Sequence, residues 1–567
     1  MAGYASVVLT HPSLSHLDRA FTYRVPDDVQ VDVGARVRVP FRRAKRDGVV
    51  VELLAEPDVA KVLPIAALAG PGLGSATVEL CRWVAEHYLS TLGEALAAAV
   101  PDRVVEEEMN EPTGRPAPRA ASIRWVARYR GGSELERALT SKAFQGFSFR
   151  PGPKRAEEIA SLAAHAAASG RGVLILVPEV RVSGGTTDAV TAIGDSVALL
   201  GSDRSARERY RDWLALRAGA KLIAIGGRAA VYAPVQDLGL VIVDDEAHVS
   251  YKERRAPRIN ARPVAHERAK RAGAVFVAVG TPPSVEAGYA VERGVLAPVA
   301  LHRADVMRAR PPVKIVDRSR EPTRQVPHAD TLRLIRQAFD AGRRVVVLTH
   351  RGGDTARTTA VRLFRAVDAK APARLDARTT AQALADAARN ADVIFATPVI
   401  AKDLDISRVG VVAILEADAA LSVPEFRGTE ETFATWWHIA RWAHGGSIVL
   451  ETSDPRHPAV AALVRWDVDA LYRFESSRRR ETGYPPFASL ARIDAPAARA
   501  SEAAEAVAAA IPAGEVLGPL ERGGKAVVIA RTKTRTALLD GLRPLVERWR
   551  SSGEPFRVDV DPREVLP

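Results

Sequence analysis

Short apolar runs separated by turn residues open the chain. Positions 5–9, 19–25, 35–39 and 48–54 read as strands, with Pro, Asp and Gly between them. In Val33-Gly34-Ala35-Arg36-Val37-Arg38-Val39-Pro40 the polar and apolar positions alternate, so Arg36 and Arg38 share one face. Helical spacing takes over at 76–88 and again at Leu92–Ala99, which predicts a small β-rich domain with a helical end over 1–104. The next stretch, 104–122, carries Glu106-Glu107-Glu108 and then Pro112, Gly114, Pro116 and Pro118, and reads as a linker. Positions 123–150 show no sustained period. From 151 the pattern changes to β-branched runs at 172–177, 221–225, 238–243 and 274–279, alternating with helical segments at 156–169 and 206–217. Runs apolar on both faces are the mark of buried parallel strands, so 151–310 predicts a doubly wound α/β lobe. A second lobe over 311–464 repeats the style at 344–348, 393–396, 409–415 and 447–450. The last segment, 465–567, returns to a small mixed αβ pattern, with strands at 490–494, 527–530 and 557–560.

Composition adds scale. At roughly 150 residues per domain, 567 residues predict about four domains, and 47% hydrophobic with 26% charged residues is ordinary for globular chains. No apolar run is long enough for a membrane helix, and 1–10 lacks the pattern of a signal peptide, so the expected location is the cytoplasm. One cysteine, Cys81, excludes an internal disulfide and a cysteine-built zinc site; it reads as a core thiol. The 12 histidines show no metal-ligand spacing. Charge changes the picture most. Lys and Arg number 80 against 68 Asp and Glu, a net +12, which favours a polyanionic partner such as nucleic acid. Two tandem α/β lobes with a basic balance predict a helicase-like motor core, whose chemistry belongs at strand ends facing the cleft between lobes.

The run 238–243 ends in Asp244-Asp245-Glu246-Ala247-His248. A carboxylate at a buried strand end can hold Mg²⁺ through water, and the next can orient an attacking water. Those roles fall to Asp245 and Glu246; the alternative is a solvated or capping strand end. A phosphate cradle of the form G-x-x-x-x-G-K-[ST] is missing. Its nearest counterpart is Ser148-Phe149-Arg150-Pro151-Gly152-Pro153-Lys154-Arg155. There Lys154 and Arg155 stand where a phosphate-binding lysine and a Mg²⁺-binding hydroxyl belong, though Lys154 reads more readily as a surface residue at a helix start than as a phosphate ligand. Pro153 replaces the last glycine and has no N–H to offer. In the stretch from His438 to Gly446 the one arginine on offer to the γ-phosphate is Arg441, beside Trp442; an arginine on an aromatic-rich helix is more often structural. Near the N-terminus Arg36, Arg38, Arg42, Arg43, Lys45 and Arg46 lie close in sequence to Phe21, Tyr23 and Phe41. Arginine with aromatic neighbours suits phosphate contact and base stacking; a solvated hairpin over core aromatics fits equally. Arg478-Arg479-Arg480 reads as a solvated helix end.

At these residues the chain resembles the primosomal protein N′ (PriA) family of superfamily 2 DNA helicases. The resemblance is carried by Phe21-Thr22-Tyr23-Arg24-Val25-Pro26, by 33–41, and by Trp83-Val84-Ala85-Glu86-His87-Tyr88 with Leu92-Gly93-Glu94. It continues in Leu176-Val177-Pro178-Glu179-Val180, Gly226-Gly227-Arg228, the acidic box with Ser250-Tyr251-Lys252, Glu425-Phe426-Arg427, Arg480 with Tyr484-Pro485-Pro486-Phe487, and 558–562. It implies two RecA-like helicase lobes between a 3′-end-binding domain and a small C-terminal domain. It also implies DNA-binding roles for Phe21, Thr22, Tyr23, Gly34, Arg36, Arg38, Arg42, Arg43 and Lys45, with Thr22 in place of the family's usual Asp. Further departures point to the divergent actinobacterial type. The third motif survives in part as Gly280-Thr281-Pro282-Pro283, and the fifth, from Ala396 to Asp403, has Asp403 where Gly is usual. The family's eight-cysteine zinc module is missing between His350-Arg351-Gly352-Gly353 and Asp354, and 105–150 is short for its winged helix.

The function so implied is DNA replication restart, with its ties to recombination and repair. The protein would recognise stalled forks, D-loops or a free 3′ end and promote reloading of the replicative helicase, without unwinding. Its partners would be primosome proteins, the replicative helicase or its loader, and single-stranded DNA-binding protein, in a nucleoid-associated setting. The family's cofactor is ATP with Mg²⁺, against which the altered motifs argue; zinc is not expected. Two alternatives stand beside this: an active 3′→5′ helicase with an unorthodox ATP site, and a basic DNA binder without fork preference.

Overall fold

The computed structural model describes the chain except for residues 1–2, 15–16, 58, 60, 110–113, 115–119, 179–184, 322–325, 351–352, 399–405, 407, 444 and 567. Four sheets in chain order give the architecture the pattern predicts: a β-rich domain, two doubly wound lobes and a small αβ domain. In the first sheet Tyr4–Leu9 pairs antiparallel with Phe21–Arg24 on one side and Ala44–Leu54 on the other. Arg36–Phe41 pairs with Ala44–Leu54 across the turn at Arg42 and Arg43. Ala5, Val7, Tyr23, Val37, Val39 and Val50 fill one side of this sheet. Val8, Val49 and Val51 pack instead toward Ser75–Tyr88 and Leu92–Ala99. Leu92–Ala99 starts with a capping box, in which Thr91 accepts from the Glu94 amide and Glu94 accepts from the Thr91 amide.

The expected linker is a docked element. Val105–Glu108 forms a short helix whose Glu107 is buried against Ala206–Arg217 of the first lobe. Glu107 accepts from Arg211 at 2.8 Å and from Arg207 at 2.5 Å. Hydrogen bonds from Arg211 and then Arg207 hold its carboxyl down at about 2, against an ordinary 4.5. A depressed folded value contributes stability that is full above the unfolded pKa and is lost as pH falls through the folded one. The docking is therefore expected to weaken between about 4.5 and about 2. Urea midpoints measured on both sides of that window should fall less for Glu107→Gln than for the parent chain.

The first lobe also starts earlier than 151. Gln145–Arg150 lies inside the eight-stranded sheet, parallel to both Val275–Val279 and Ala297–Leu301. Tyr129–Arg130 adds an antiparallel edge, and Gly132–Thr140 packs as a helix beside it. Thus 123–150 belongs to the first lobe, not to a separate winged-helix region. The strand Gln145–Arg150 escapes pattern reading because its polar Ser148 is itself buried between Phe147 and Phe149. From there the sheet runs through Val275–Val279, Leu238–Val243, Gly172–Leu176, Ile223–Gly226 and Val197–Leu199, all parallel. Leu238–Val243 is buried at every position, which explains its unbroken apolar run.

The second lobe is a six-stranded parallel sheet centred on Val409–Ile414 and Arg344–Leu348. Its outer strands, Val313–Asp317 and Pro372–Leu375, carry too few apolar residues to stand out in sequence. The long helix Val468–Thr482 then leads to the last domain, built strand–helix–strand–strand–helix–strand in a split βαβ arrangement. Its strands are Ser489–Pro496, Glu515–Arg522, Lys525–Thr532 and Arg557–Val560. No helix among the described residues is long and apolar enough to cross a membrane.

Candidate functional site

A cleft of about 1700 Å³ opens where the strand ends of the first lobe face the second. On the first-lobe side the chain passes from Gln145–Arg150 to the helix Arg155–Ala168 through Pro151, Gly152, Pro153 and Lys154. In a nucleotide-binding lobe such a turn presents converging N–H groups to phosphate. Here two of the four residues are prolines, and the Gly152 N–H donates to the Tyr129 hydroxyl at 2.9 Å. Tyr129 in turn donates to the buried Glu158 carboxylate at 2.7 Å. Burial pushes the Glu158 carboxyl up. Lys154 is exposed at the start of that helix and does not line the cleft, so the side chain standing in the lysine's place is a surface residue.

Arg155 does line the cleft, with Nε 3.5 Å from Oδ1 of Asp244. Asp244 is 1% exposed, and its other oxygen accepts from Thr186 Oγ1 at 2.7 Å. Burial pushes the Asp244 carboxyl up, opposed by Arg155 and Thr186. A guanidinium thus stands beside the strand-end carboxylate at which a Mg²⁺ ligand set would be built. These residues do not form the usual cradle for ATP with Mg²⁺: Pro151 and Pro153 carry no N–H, the Gly152 N–H is taken by Tyr129, Arg155 stands where a hydroxyl would bind Mg²⁺, and Lys154 is turned away.

The acid pair on the cleft is Asp244 and Asp245, one position earlier than the expected Asp245 and Glu246. Leu238–Val243 ends at Val243, so Asp244 is the first residue past the strand, and Asp245 follows in a left-handed turn at φ 47°. Glu246 faces the other way. It is 3% exposed and accepts from Arg262 at 2.5 Å, from the Ser284 amide at 2.6 Å and from the Ser284 hydroxyl at 2.9 Å. Asp244, its partner Thr186, and Tyr129 on the Gly152 N–H are what sequence reading missed; counting from the strand's last apolar residue would have found Asp244.

From the second lobe Arg441 reaches across, with Nη2 3.5 Å from the Gly152 carbonyl. Arg150 meets Asp469 of Val468–Thr482 at 2.6 Å on the same cleft. The early motif's Glu179 and Val180, the fifth motif from Val399 to Asp403, Arg351, Gly352 and His444 lie outside the described residues. Gly280, Thr281, Pro282 and Pro283 line the cleft. Among the described residues no group of three or more His, Cys, Asp or Glu is arranged to hold a metal ion.

The N-terminal candidates divide. Phe21 and Phe41 meet edge to face at 5.1 Å, with Arg19 over Phe21 at 4.7 Å and Arg42 over Phe41 at 5.6 Å. Arg42 and Arg43 form the hairpin turn beside them, and Lys45 follows opposite Pro40. Arg42, Arg43 and Lys45 are exposed, and Phe21 and Thr22 are half-buried on one edge strand. Arg38 is at the surface but paired with Asp47 at 2.7 Å, a hydrogen bond that raises the Arg38 pKa and lowers that of Asp47. Three candidates face inward. Tyr23 is a core residue whose hydroxyl donates to the Pro40 carbonyl at 3.0 Å. Gly34 adopts φ 94° where a Cβ would meet the Gly74 backbone at 2.6 Å, so it serves packing. Arg36 is 7% exposed, and burial lowers its pKa among Tyr210, Arg103 and Glu108. Arg36 shares a strand face with Arg38, as alternation predicts, yet neighbouring elements cover it.

The C-terminal arginines also depart from expectation. Arg479 is 1% exposed and bonds Glu430 at 2.5 Å, so the run is not a solvated helix end. Arg480 lies over Phe487 at 4.6 Å, and Phe426 stacks on Tyr484 at 4.9 Å. Glu425 accepts from the amides of Val565 at 3.1 Å and Leu566 at 3.2 Å. The motif residues near 425, 480 and 560, scattered in sequence, therefore meet at one interdomain junction.

Comparison with known proteins agrees with this organisation. Residues 6–101 match the 3′DNA-binding domain (3′BD) of PriA, and 480–563 match the primosomal protein N C-terminal domain. The chain is 28% identical to the replication restart protein PriA of Treponema pallidum, with 100% of both chains covered. It is 31% identical to the probable replication restart protein PriA of Mycobacterium tuberculosis H37Rv, with 90% of each covered. The Bacillus subtilis replication restart protein PriA is 24% identical over 65% of this chain and 55% of its own. Domains matched at both ends and an alignment along nine-tenths of a mycobacterial relative lead to one conclusion: the chain belongs to the replication restart protein PriA family.

Proposed function

We propose that the protein recognises forked or D-loop DNA carrying a free 3′ end and promotes reloading of the replicative helicase, without unwinding DNA itself. The observation that carries the second half is the Arg155–Asp244 contact at 3.5 Å, together with the use of the Gly152 N–H by Tyr129. Phosphoryl transfer depends on positioned cations and N–H donors around the phosphates, and this cleft offers them to its own side chains. DNA contact depends on phosphate-binding cations and stacking faces elsewhere. In the N-terminal domain those are Phe21, Phe41, Arg42, Arg43 and Lys45, with Thr22 on the same edge strand as Phe21. Primosome proteins, the helicase or its loader, and single-stranded DNA-binding protein are the partners this role requires. The active-motor reading draws on Asp244, Asp245 and Arg441, which still line the cleft.

Binding of a fork with a free 3′ end is compared with blunt duplex at matched salt. Preference for the fork supports the reading; equal affinity would reduce the protein to a general DNA binder. Replacing Arg42, Arg43 and Lys45 with Ala should flatten the dependence of log K on log salt by roughly one unit for each phosphate that is no longer neutralised. Phe21→Ala should cost about 1–3 kcal/mol of binding if a base stacks there, with little change in that slope.

A further inference from the structure

Glu246, turned away from the cleft, lies at one end of a group of buried and part-buried charges that crosses three parts of the molecule. It pairs with Arg262 at 2.5 Å within the first lobe. Glu286, on the first-lobe helix Val285–Glu292, pairs with Arg427 of the second lobe at 2.5 Å. Glu430, on the second-lobe helix Gly428–Ala440, accepts from the Val285 amide at 2.8 Å, so a second-lobe carboxylate caps a first-lobe helix. Arg479, on Val468–Thr482, closes the set against Glu430 at 2.5 Å and Glu286 at 3.5 Å. Glu475, fully buried, faces Arg479 at 3.7 Å and pairs with Arg478 at 2.8 Å, so four glutamates stand against four arginines. A hinge opening between the lobes would separate Glu286 from Arg427 and Glu430 from Val285. Each would leave a charge or donor uncompensated in a low-dielectric place, the costly half of any buried pair. Further ties lie outside the set. Arg563 joins Glu431 of the second lobe at 2.6 Å to the Ala247 carbonyl of the first at 3.1 Å. Arg150 joins Asp469 at 2.6 Å.

We propose that this buried network is a clasp that fixes the angle between the two lobes, so that the width of the cleft is set by the protein's own charges and not by a ligand within it. Motor proteins work by swinging such lobes; here the contacts of Glu286 and Glu430 across the lobes are the device that prevents the swing. The inference stands on the network and not on the fork reading, since a chain without fork preference would hold its lobes equally still.

The test is a pulsed electron–electron distance measurement on the full chain. Cys81 is fully buried, so labels go to cysteines introduced at the exposed positions Asp195 in the first lobe and Arg389 in the second. The expected result is one narrow distance that stays in place on addition of ATP with Mg²⁺, of forked DNA, or of both. A distance that moves or divides on any of these additions overturns the clasp. Glu430→Gln, which keeps shape and removes charge, should broaden the distribution; a folded Glu430→Gln chain that keeps the narrow peak also overturns it. Should that variant fail to fold by circular dichroism, Glu286→Gln takes its place under the same criterion, and the parent measurement stands in either case.

Discussion

Incubated with ATP, Mg²⁺ and forked DNA, the protein is expected to release phosphate no faster than its Asp244→Asn, Asp245→Asn double variant. The reasoning is electrostatic. Catalysis of phosphoryl transfer rests on cations and N–H groups held around the β- and γ-phosphates, and a single arginine finger is worth a factor of about 10³–10⁵ in rate. In this cleft Pro151 and Pro153 have no N–H, and the Gly152 N–H is committed to Tyr129. Lys154 lies off the cleft, and Arg155 places its guanidinium 3.5 Å from Asp244. Arg441 stands opposite, but an arginine finger stabilises a charge that other groups must first hold in place. Phosphate release stimulated by the fork and abolished in the double variant would establish a working motor and defeat the reading of a recognition protein. Glu246→Gln is the wrong control for this experiment. Its expected effect is loss of a buried ion pair with Arg262, so a fall in activity would report damaged structure.

Arg479→Ala is expected to cost about 3–5 kcal/mol of stability, the range for removing one partner of a buried charge set. Arg479 is 1% exposed and faces Glu430 at 2.5 Å, Glu286 at 3.5 Å and Glu475 at 3.7 Å. Burial by itself would lower the Arg479 pKa, yet Glu430, Glu286 and Glu475 raise it overall, so the guanidinium is firmly charged in place. Glu286 shows the converse: burial pushes its carboxyl up, but Arg427, Arg479 and Arg262 bring it below the ordinary carboxylate range. Truncating Arg479 leaves these glutamates with one counter-charge fewer in a buried place. Chemical denaturation of the full chain measures the loss. Arg480→Ala is the matched comparison: Arg480 is more exposed and lies over the Phe487 ring at 4.6 Å. A cation–π contact at an exposed site is worth about 0.5–1 kcal/mol. Equal effects of the two substitutions would show that the network does not carry the stability assigned to it.

What the sequence by itself determined is the order of the parts. The apolar runs at Leu238–Val243 and Arg344–Leu348 are legible because a parallel strand buried on both faces can carry little but apolar side chains. The alternation in 33–40 is legible because a sheet face repeats every second residue. Spacing and residue type also carried the family, since Phe21-Thr22-Tyr23, the acidic strand end and Tyr484-Pro485-Pro486-Phe487 each keep their local form. What only the tertiary structure decided is which way each polar side chain faces once neighbouring elements arrive. Arg36 and Arg38 are equivalent in the strand pattern, yet Arg36 is buried among Arg103, Glu108 and Tyr210 while Arg38 stays at the surface. Gln145–Arg150 is short and half polar, and becomes a strand only because the sheet has a place for it between two others. Asp245 and Glu246 are adjacent acids in the chain; the turn at Asp245 sends one to the cleft and the other to Arg262. Charge on a sequence names no partner. It acts through distances of a few ångström, and residues that lie 49 positions apart, such as Glu430 and Arg479, are brought within them only by the packing of whole lobes.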